Sequence, residues 1–518
     1  AFRFSLAAGD EALRSYAFQE SLAHYDRARE AAQRMKEASV PVAPQSWLQL
    51  YKNRGRALEL AGDYEAAQDN YQELLGLATA SQDRILELAA LTAQCIVYAT
   101  HTSIFNPPIA RELGQAALNL AHQLNDRAAK AEALWCMMLV EFHAGGDRQK
   151  VFAYGQQALS HARELGLKEL QGYVLSNLSW AYLTHEQLDE ARKTNSEAQS
   201  IWEALGNLPM VADSYTIKLA IHRFAGEYKA VLATGPEALR LSQSIGNPMH
   251  QDMALLLMGG IHCLQGQLDQ AFANFEAAMA IDEDGVNSLL AQGHYANLIP
   301  AYLLAGALDQ AEQLADKLYA MRENFLPVFQ TQFFVNIART KIALGKLQES
   351  EAILERAFYD FKRTGASSFA FASLLVTDAH LQWALGNPQG VLDRTEEAIR
   401  RLRQADGRIF LAEALWLQGR TYLSLEKTEQ AEEALLQAKL VAEQTGERSI
   451  LWQILGTFSE LERRRGNEGR TKRLRGQAQE ILTYIANHSG SDTLRASFIA
   501  RPEVRSLIAP LQELDQPV

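Results

Sequence analysis

The sequence predicts an all-α protein, an α-solenoid superhelix of about eleven helical hairpins with a 40-residue period. A small residue recurs at this spacing along most of the chain, at Ala158, Ala198, Ala238, Ala278, Ala357, Ala398, Ala438 and Ala478. A glycine twelve residues upstream keeps the same interval, at Gly146, Gly226, Gly266, Gly306, Gly345, Gly386 and Gly466. Because such periods mark units that bury their apolar faces against their neighbours, we expect a stack of repeats.

Each repeat is predicted to contain two helices separated by a glycine turn. Between about residues 251 and 285, apolar residues at helical spacing end at Gly266, and a second apolar stripe begins at Leu268. Gly266 can adopt the left-handed backbone that often follows a helix end. A second glycine closes many repeats, which leaves about 17 residues and roughly 25 Å for each helix.

The residue pattern within the repeat distinguishes two kinds of solenoid that share this period. It is carried by Gly259, His262, Gly266, Ala271, Phe275 and Ala278, and again by Gly55, Leu58, Gly62, Tyr64, Ala67 and Tyr71. This order of small residue, ring, turn glycine, alanine and aromatic resembles the tetratricopeptide (TPR) signature. A HEAT-type repeat would have a proline that bends its first helix, and here only Pro300 fits.

Three regions are predicted from the regularity of the period. Residues 1–125 contain degenerate TPR-like hairpins, in which Asn106-Pro107-Pro108 stands where a turn glycine is expected. Residues 126–488 form the regular 40-residue array, and residues 489–518 form a C-terminal capping helix and tail. In the first hairpin, Gly9 and Asp10 are expected to lie in an irregular connection.

Composition and charge narrow the class of partner. The net charge of −12 makes nucleic acid an unlikely partner. The sequence has no run of 18 apolar residues, so we expect no membrane span. Three distant cysteines and the lack of a signal peptide predict a cytoplasmic protein. Because the sequence begins at Ala1 rather than methionine, we expect it to be part of a longer chain.

Motifs that carry chemistry are missing from the sequence. It lacks a phosphate-binding GxxxxGK[ST] loop, an HExxH or GxSxG motif, and a cluster of His and Cys at zinc spacing. His262 and Cys263 are adjacent, but His262 occupies the ring position of its repeat and is interpreted as a packing residue. We therefore expect no enzymatic activity, no cofactor and no metal.

The candidate binding residues lie on the first helices, which line the concave groove of TPR arrays. An asparagine stands two residues before the small position at Asn53, Asn177, Asn297 and Asn336, and in TPR proteins such an amide can bind a peptide backbone. The same register predicts inward positions for Trp180, Arg223, Arg339, Trp416 and Arg420. The expected partner is a protein or peptide in this groove. The alternatives are a solvated role for the asparagines and a core position for the tryptophans.

A basic cluster is the second candidate surface. Seven cations occur within thirteen residues, namely Arg463, Arg464, Arg465, Arg470, Lys472, Arg473 and Arg475. Glu468 is the only acidic residue among them, so the cluster is predicted to dock an acidic protein. The alternatives are the solvated face of the penultimate hairpin and a nucleic-acid site, which the lack of interleaved aromatic residues disfavours.

The two ends of the sequence resemble a known family of bacterial signalling ATPases. These ends are Ala8–Phe18 with Ala23–Ala28, and Leu494–Val504, and they resemble the TPR region of STAND-type regulators, including maltose-regulon-activator-like proteins. In that family the solenoid follows an ATPase domain, senses an inducer or partner, and controls oligomerisation. The resemblance implies a sensor whose partners include an ATPase domain of the same longer chain. A small-molecule effector site and a free-standing scaffold remain as alternatives.

Overall fold

A computed structural model describes residues 1–15, 17–100, 102–282, 288–325, 327–364 and 368–509. Across these residues the chain forms 26 α-helices and two short 3-10 helices, Ala280–Asp282 and Arg322–Asn324. The helices belong to two compact units, Ala1–Ala181 (unit 1) and Tyr182–Val518 (unit 2).

Unit 1 contains eight complete helices and most of a ninth, whose last turn crosses the unit boundary. The helices are α1 (Phe2–Arg14), α2 (Phe18–Glu37), α3 (Pro44–Leu60), α4 (Tyr64–Ser81), α5 (Arg84–Ala99), α6 (Pro107–Gln123), α7 (Arg127–His143), α8 (Arg148–Glu164) and α9 (Lys168–Thr184).

Unit 2 contains the remaining helices. They are α10 (Leu188–Leu205), α11 (Leu208–Phe224), α12 (Tyr228–Ser244), α13 (Pro248–Leu264), α14 (Leu268–Met279), α15 (Ser288–Ala305), α16 (Leu308–Ala320), α17 (Pro327–Ala343), α18 (Leu347–Thr364), α19 (Ser368–Ala384), α20 (Pro388–Gln404), α21 (Leu411–Ser424), α22 (Thr428–Thr445), α23 (Arg448–Arg464), α24 (Glu468–Asn487), α25 (Asp492–Ala500) and α26 (Pro502–Ile508).

The helices pair as hairpins, each with an odd-numbered first helix and an even-numbered second helix, from α1 to α8 in unit 1 and from α11 to α24 in unit 2. Consecutive first helices also pack on one another, from α1 to α7 in unit 1 and from α11 to α23 in unit 2. The predicted α-solenoid is therefore confirmed, and in each unit the first helices form a continuous layer.

Local chemistry explains where the helices begin and end. Asn247 and Asn387 accept hydrogen bonds from the backbone N–H groups of His250 and Gly390, and each is followed by a proline in the first turn. At the turn between α13 and α14, Gly266 has a φ of +72°, which glycine adopts without the steric cost of a Cβ atom. The sequence thus specifies these helix ends and this turn locally.

Within a hairpin, a glycine on one helix often faces a large side chain on the other. The ring of Tyr71 contacts Gly55 on the first helix, and the ring of Phe275 contacts Gly259 in the same way. Gly9 also follows this pattern, because it lies inside α1 against Tyr25 and does not belong to a connection. The expectation of an irregular connection at Gly9 was therefore wrong. Glycine here allows close approach of two helices.

We expect Gly259→Ala to destabilise unit 2 by about 2 kcal/mol, because overpacking a filled core forces neighbouring atoms to move. An added Cβ at Gly259 would lie 2.5 Å from the ring of Phe275, which is 1% exposed. Gly476→Ala on α24 is the matched control, since no heavy atom lies within 4 Å of its Cβ position. Thermal denaturation should show a slight gain for the control, and equal behaviour of the two variants would contradict this packing.

Unit 2 contains a second set of contacts, between hairpins about five apart in the chain. We call this set the seam. It joins Arg408 to Phe224, Glu447 to Tyr228, Arg448 to Gln265, His488 to Asp269, and Arg501 to Leu304. Within unit 2, about five hairpins therefore complete one superhelical turn, and successive turns touch.

The C-terminal end departs from the expected single capping helix. Two short helices, α25 and α26, follow the last hairpin. Arg475 of α24 donates to the backbone oxygens of Ser506 and Ala509, and Gln479 donates to that of Leu507. These donors satisfy carbonyl groups that the end of α26 leaves unpaired. The predicted tail at 510–518 lies outside the described residues.

Candidate functional site

The first helices of unit 2, α11 to α23, pack on one another in a curved layer, because about five hairpins complete one superhelical turn. Side chains from neighbouring first helices can therefore come together on this layer. The candidate binding residues of unit 2 lie on these helices.

One group of side chains on this layer combines charge and aromatic surface. It is formed by Arg339 of α17, His380 and Trp383 of α19, and Glu413, Trp416 and Arg420 of α21. We call these six residues the inner-face cluster. Three consecutive first helices hold it, so the packing of the repeats fixes its geometry.

The charged half of the cluster centres on the carboxylate of Glu413. Arg339 donates to one carboxylate oxygen at 3.0 Å, and a ring nitrogen of His380 lies 2.8 Å from the other. Burial alone would raise the pKa of Glu413, but the charge of Arg339 and the contact with His380 outweigh it and lower the pKa to about 2. Glu413 is thus a fixed negative charge that neutralises Arg339.

In the aromatic half, Arg420 lies against two tryptophan rings and not against a carboxylate. The guanidinium of Arg420 lies 3.9 Å from the ring centre of Trp383 and 5.4 Å from that of Trp416. Trp416 is 5% exposed, and its ring N–H donates to the hydroxyl of Thr457 at 2.9 Å. Among the described residues, no hydrogen bond or ion pair engages Arg420. Burial lowers its pKa, so this cation is stabilised mainly by the two rings.

Arg223 is a second cation of this kind, at the end of α11. It lies 5.9 Å from the ring centre of Phe224, and it has no hydrogen bond or ion pair within the part of the chain that the structure describes. Burial lowers the pKa of Arg223. It does not belong to the inner-face cluster, and it lies beside Tyr228 at the seam.

The predicted asparagines mainly join neighbouring first helices. Asn53 donates to Asp10 of α1 at 2.9 Å, and Asn177 accepts from the ring N–H of Trp135 on α7 at 2.8 Å. Asn336 is 3% exposed and donates to the backbone oxygen of Ala296 on α15 at 2.7 Å. These three amides therefore have structural partners, which explains their recurrence at one repeat position without a ligand.

The remaining predicted inner residues differ in their availability. Asn297 is half-buried and donates to the backbone oxygen of Gly293 within its own helix. Trp180 is half-buried on α9 of unit 1. Of the nine residues predicted for the groove, the structure brings three together in the inner-face cluster, namely Arg339, Trp416 and Arg420. Their role in partner binding stays a prediction.

Most cations of the basic cluster pair with acidic residues that lie outside the thirteen-residue window. Arg463 and Arg464 pair with Glu460, whereas Arg465 and Arg470 pair with Glu432 and the buried Glu462. These contacts join α22, α23 and α24. The surface is therefore less positive than the sequence suggests, because the compensating carboxylates lie outside the thirteen-residue window.

The last three cations of the cluster have different environments. Lys472 lies 4.0 Å from Glu468, and both side chains are exposed. Arg473 is exposed, and no described residue forms an ion pair with it. Arg475 is 7% exposed and holds α26, so it belongs to the C-terminal packing and is not open to a partner. Docking at the exposed members stays a prediction.

Sequence reasoning missed His380, Trp383 and Glu413. A usable signal exists, because His380 lies 41 residues after Arg339 and 40 residues before Arg420, which places all three at one repeat position. Glu413 offers no such signal. Its importance comes from Arg339 and His380, which neighbouring helices direct at its carboxylate.

Among the described residues, no group of three or more His, Cys, Asp or Glu has a geometry that could hold a metal ion, and no helix is long and apolar enough to cross a membrane. His262 contacts the side chain of Gln267 at 2.8 Å across its hairpin turn. The three cysteines are free and buried.

The fold and these sites define an α-solenoid with at least one tetratricopeptide repeat. Residues 412–445, which span α21 and α22 and most of the aromatic half of the inner-face cluster, match the tetratricopeptide repeat family model. A comparison with curated protein sequences gives no match.

Solved structures with a similar fold include three proteins of different kinds. A Rap protein complexed with competence and sporulation factor is 14% identical with a TM-score of 0.53, covering 70% of this chain and 98% of that one. A STAND ATPase with a tetratricopeptide-repeat sensor, from Pyrococcus horikoshii, is 14% identical with a TM-score of 0.36, covering 93% of this chain and 55% of that one. Yeast Tom70 is 13% identical with a TM-score of 0.35, and the match covers 89% of this chain and 96% of that one. At these identities the likeness shows the fold alone.

Proposed function

We propose that this chain is a non-catalytic solenoid that binds a protein or peptide along the first-helix layer of unit 2. One observation supports this proposal above the others. The layer presents an arginine that lies against two indole rings and has no ion pair among the described residues, and tryptophan and arginine are the residue types that contribute most at protein interfaces. The Rap protein of similar fold is complexed with competence and sporulation factor.

The curvature of the layer favours one kind of partner. Because about five hairpins complete one superhelical turn, the first helices curve tightly, and their inner face suits a narrow ligand better than a folded domain. The bound element is therefore a short extended peptide or an unstructured segment of a protein. The free, buried cysteines are compatible with a cytoplasmic setting.

Blocking the inner space tests the proposal. Gly260 of α13 lies on the first-helix layer, and only the side-chain oxygen of Asn297 approaches its Cβ position, at 3.9 Å. Gly260→Trp should therefore fill the groove without disturbing the fold, and it should abolish capture of the partner from a lysate of the source cells. Gly476→Trp, on the second helix α24, is the matched control. Equal capture by both variants would contradict the proposal.

A small-molecule effector is the alternative ligand for the same layer. A metabolite screen by thermal shift separates the two ligands. If a metabolite raises the melting temperature of the wild type but not of Gly260→Trp, and no protein is captured, the layer binds a small-molecule effector and not a peptide.

A second candidate role is that of a sensor region in a larger STAND-type ATPase that regulates transcription. It is favoured by the residues at 8–28 and 494–504, which resemble that family and which form the ends of the two units. The test is the gene sequence upstream of Ala1. A phosphate-binding loop there would support the role, and a start codon at this point would exclude it.

A further inference from the structure

The strongest unexplained group in unit 2 is the guanidinium of Arg420. It has five N–H donors, and within the described residues none of them has a hydrogen-bond acceptor. Arg339, on the same layer, donates hydrogen bonds to Glu413 and Thr377. Arg420 is half-buried, and donors that are shielded from water are unfavourable unless another group accepts from them.

The stacking fixes the direction in which these donors point. Trp383 covers the face of the guanidinium at 3.9 Å, and Trp416 is held in place by its hydrogen bond to Thr457. A planar guanidinium stacked on a ring presents its N–H groups along its edge, where they match the two oxygens of a carboxylate. The fork is therefore oriented before any ligand binds, and little rotamer freedom is lost on binding.

The charges around Arg420 limit the charge of the ligand. Glu503 of α26 is near enough to interact electrostatically with Arg420, although it forms its own ion pair with Arg501 at 2.5 Å. A group with two negative charges would face one free cation and this carboxylate, whereas phosphate recognition normally uses several arginines. A single negative charge is the better match.

The geometry points to a carboxylate-binding site at Arg420, which anchors an acidic side chain or the terminal carboxylate of the peptide in the first-helix layer. This inference rests on the proposed function, and it adds the chemistry of one contact. Trp383 and Trp416 form the walls of the site, and Arg420 supplies a bidentate pair of donors.

The test uses the whole chain and four one-peptide-per-bead libraries of random heptapeptides. Two libraries contain Asp and Glu, with either a free carboxy terminus or a terminal amide. The other two lack Asp and Glu and have the same two ends, so that one of them contains no carboxylate. Labelled wild-type protein is expected to stain beads that carry a carboxylate, and the library that stains identifies its source as the terminus or a side chain.

Substitutions at Arg420 test the contact itself on the selected peptides. Arg420→Gln should weaken binding at least tenfold, and Arg420→Lys should weaken it less because it keeps the charge but loses the fork. Arg400→Gln, at an exposed arginine of α20, is the matched control and should bind as the wild type does. If Arg420→Gln does not fold, the four libraries with wild-type protein still decide the question.

The outcomes separate this inference from the proposed function. If the wild type stains the carboxylate-free library and Gly260→Trp does not, the carboxylate site is excluded. Binding of the peptide by the first-helix layer would then still be supported. Unchanged affinity of Arg420→Gln would overturn the site in the same way. No staining in any library would overturn both.

Discussion

Glu447→Gln is expected to stabilise unit 2 at pH 8 and to change its stability little at pH 5. Glu447 is 4% exposed at the seam, where it accepts a hydrogen bond from the hydroxyl of Tyr228 at 2.6 Å. Burial, together with the nearby charge of Glu413, raises the pKa of Glu447 from 4.5 to about 7, although the hydrogen bond from Tyr228 opposes the rise.

The direction of the pH dependence follows from this raised pKa. Between pH 4.5 and about 7 the folded protein holds a proton on Glu447 that the unfolded chain has lost, so stability falls as the pH rises through this window. The total loss is on the order of 3 kcal/mol, because each pKa unit corresponds to about 1.4 kcal/mol. Glutamine keeps the acceptor for Tyr228 and has no charge to bury.

Thermal denaturation at pH 5 and pH 8, followed by circular dichroism, measures the effect. Glu355→Gln, at an exposed glutamate of α18, is the control and should behave as the wild type at both values. A melting temperature for Glu447→Gln at pH 8 that equals or falls below that of the wild type would show that the seam does not bury this charge.

Arg339→Met is expected to destabilise unit 2 by about 3 kcal/mol at neutral pH. The side chains of Arg339 and Glu413 are 25% and 17% exposed, so the substitution leaves a largely buried carboxylate with His380 as its remaining partner. The folded pKa of Glu413 is lowered to about 2, so the stabilisation is complete above its ordinary value near 4.5 and disappears as the pH falls towards 2.

Denaturant unfolding of a double variant separates the loss of charge pairing from the loss of packing. Arg339→Met combined with Glu413→Gln should recover much of the lost stability, because no unpaired charge remains. Arg400→Gln, which breaks an exposed pair with Glu397, should cost less than about 0.5 kcal/mol. A double variant no more stable than Arg339→Met would assign the effect to packing.

The sequence predicts the hairpins well because their determinants are local. The period of small residues and turn glycines repeats in each hairpin, and Gly266 takes the left-handed conformation that its position predicts. The pairing of Gly259 with the ring of Phe275 also depends on residues only 16 positions apart.

The candidate site was only partly predictable because it depends on how the repeats wind. Arg339, Trp416 and Arg420 were identified from their register, but the same register gave Asn336, whose amide is spent on the backbone of the preceding first helix. The contact of Tyr228 with Glu447 joins residues 219 positions apart, and no local pattern specifies it. The winding of the repeats determines which side chains are left without a hydrogen-bond partner.

Photo-crosslinking from two glycines tests most directly the claim that the first-helix layer of unit 2 binds the partner. Gly260 and Gly476 both have room for a side chain, and they lie on a first and a second helix. With p-benzoylphenylalanine at each position in turn, irradiation in source cells should link a partner to position 260 and none to position 476. Crosslinks from position 476 alone would contradict the account.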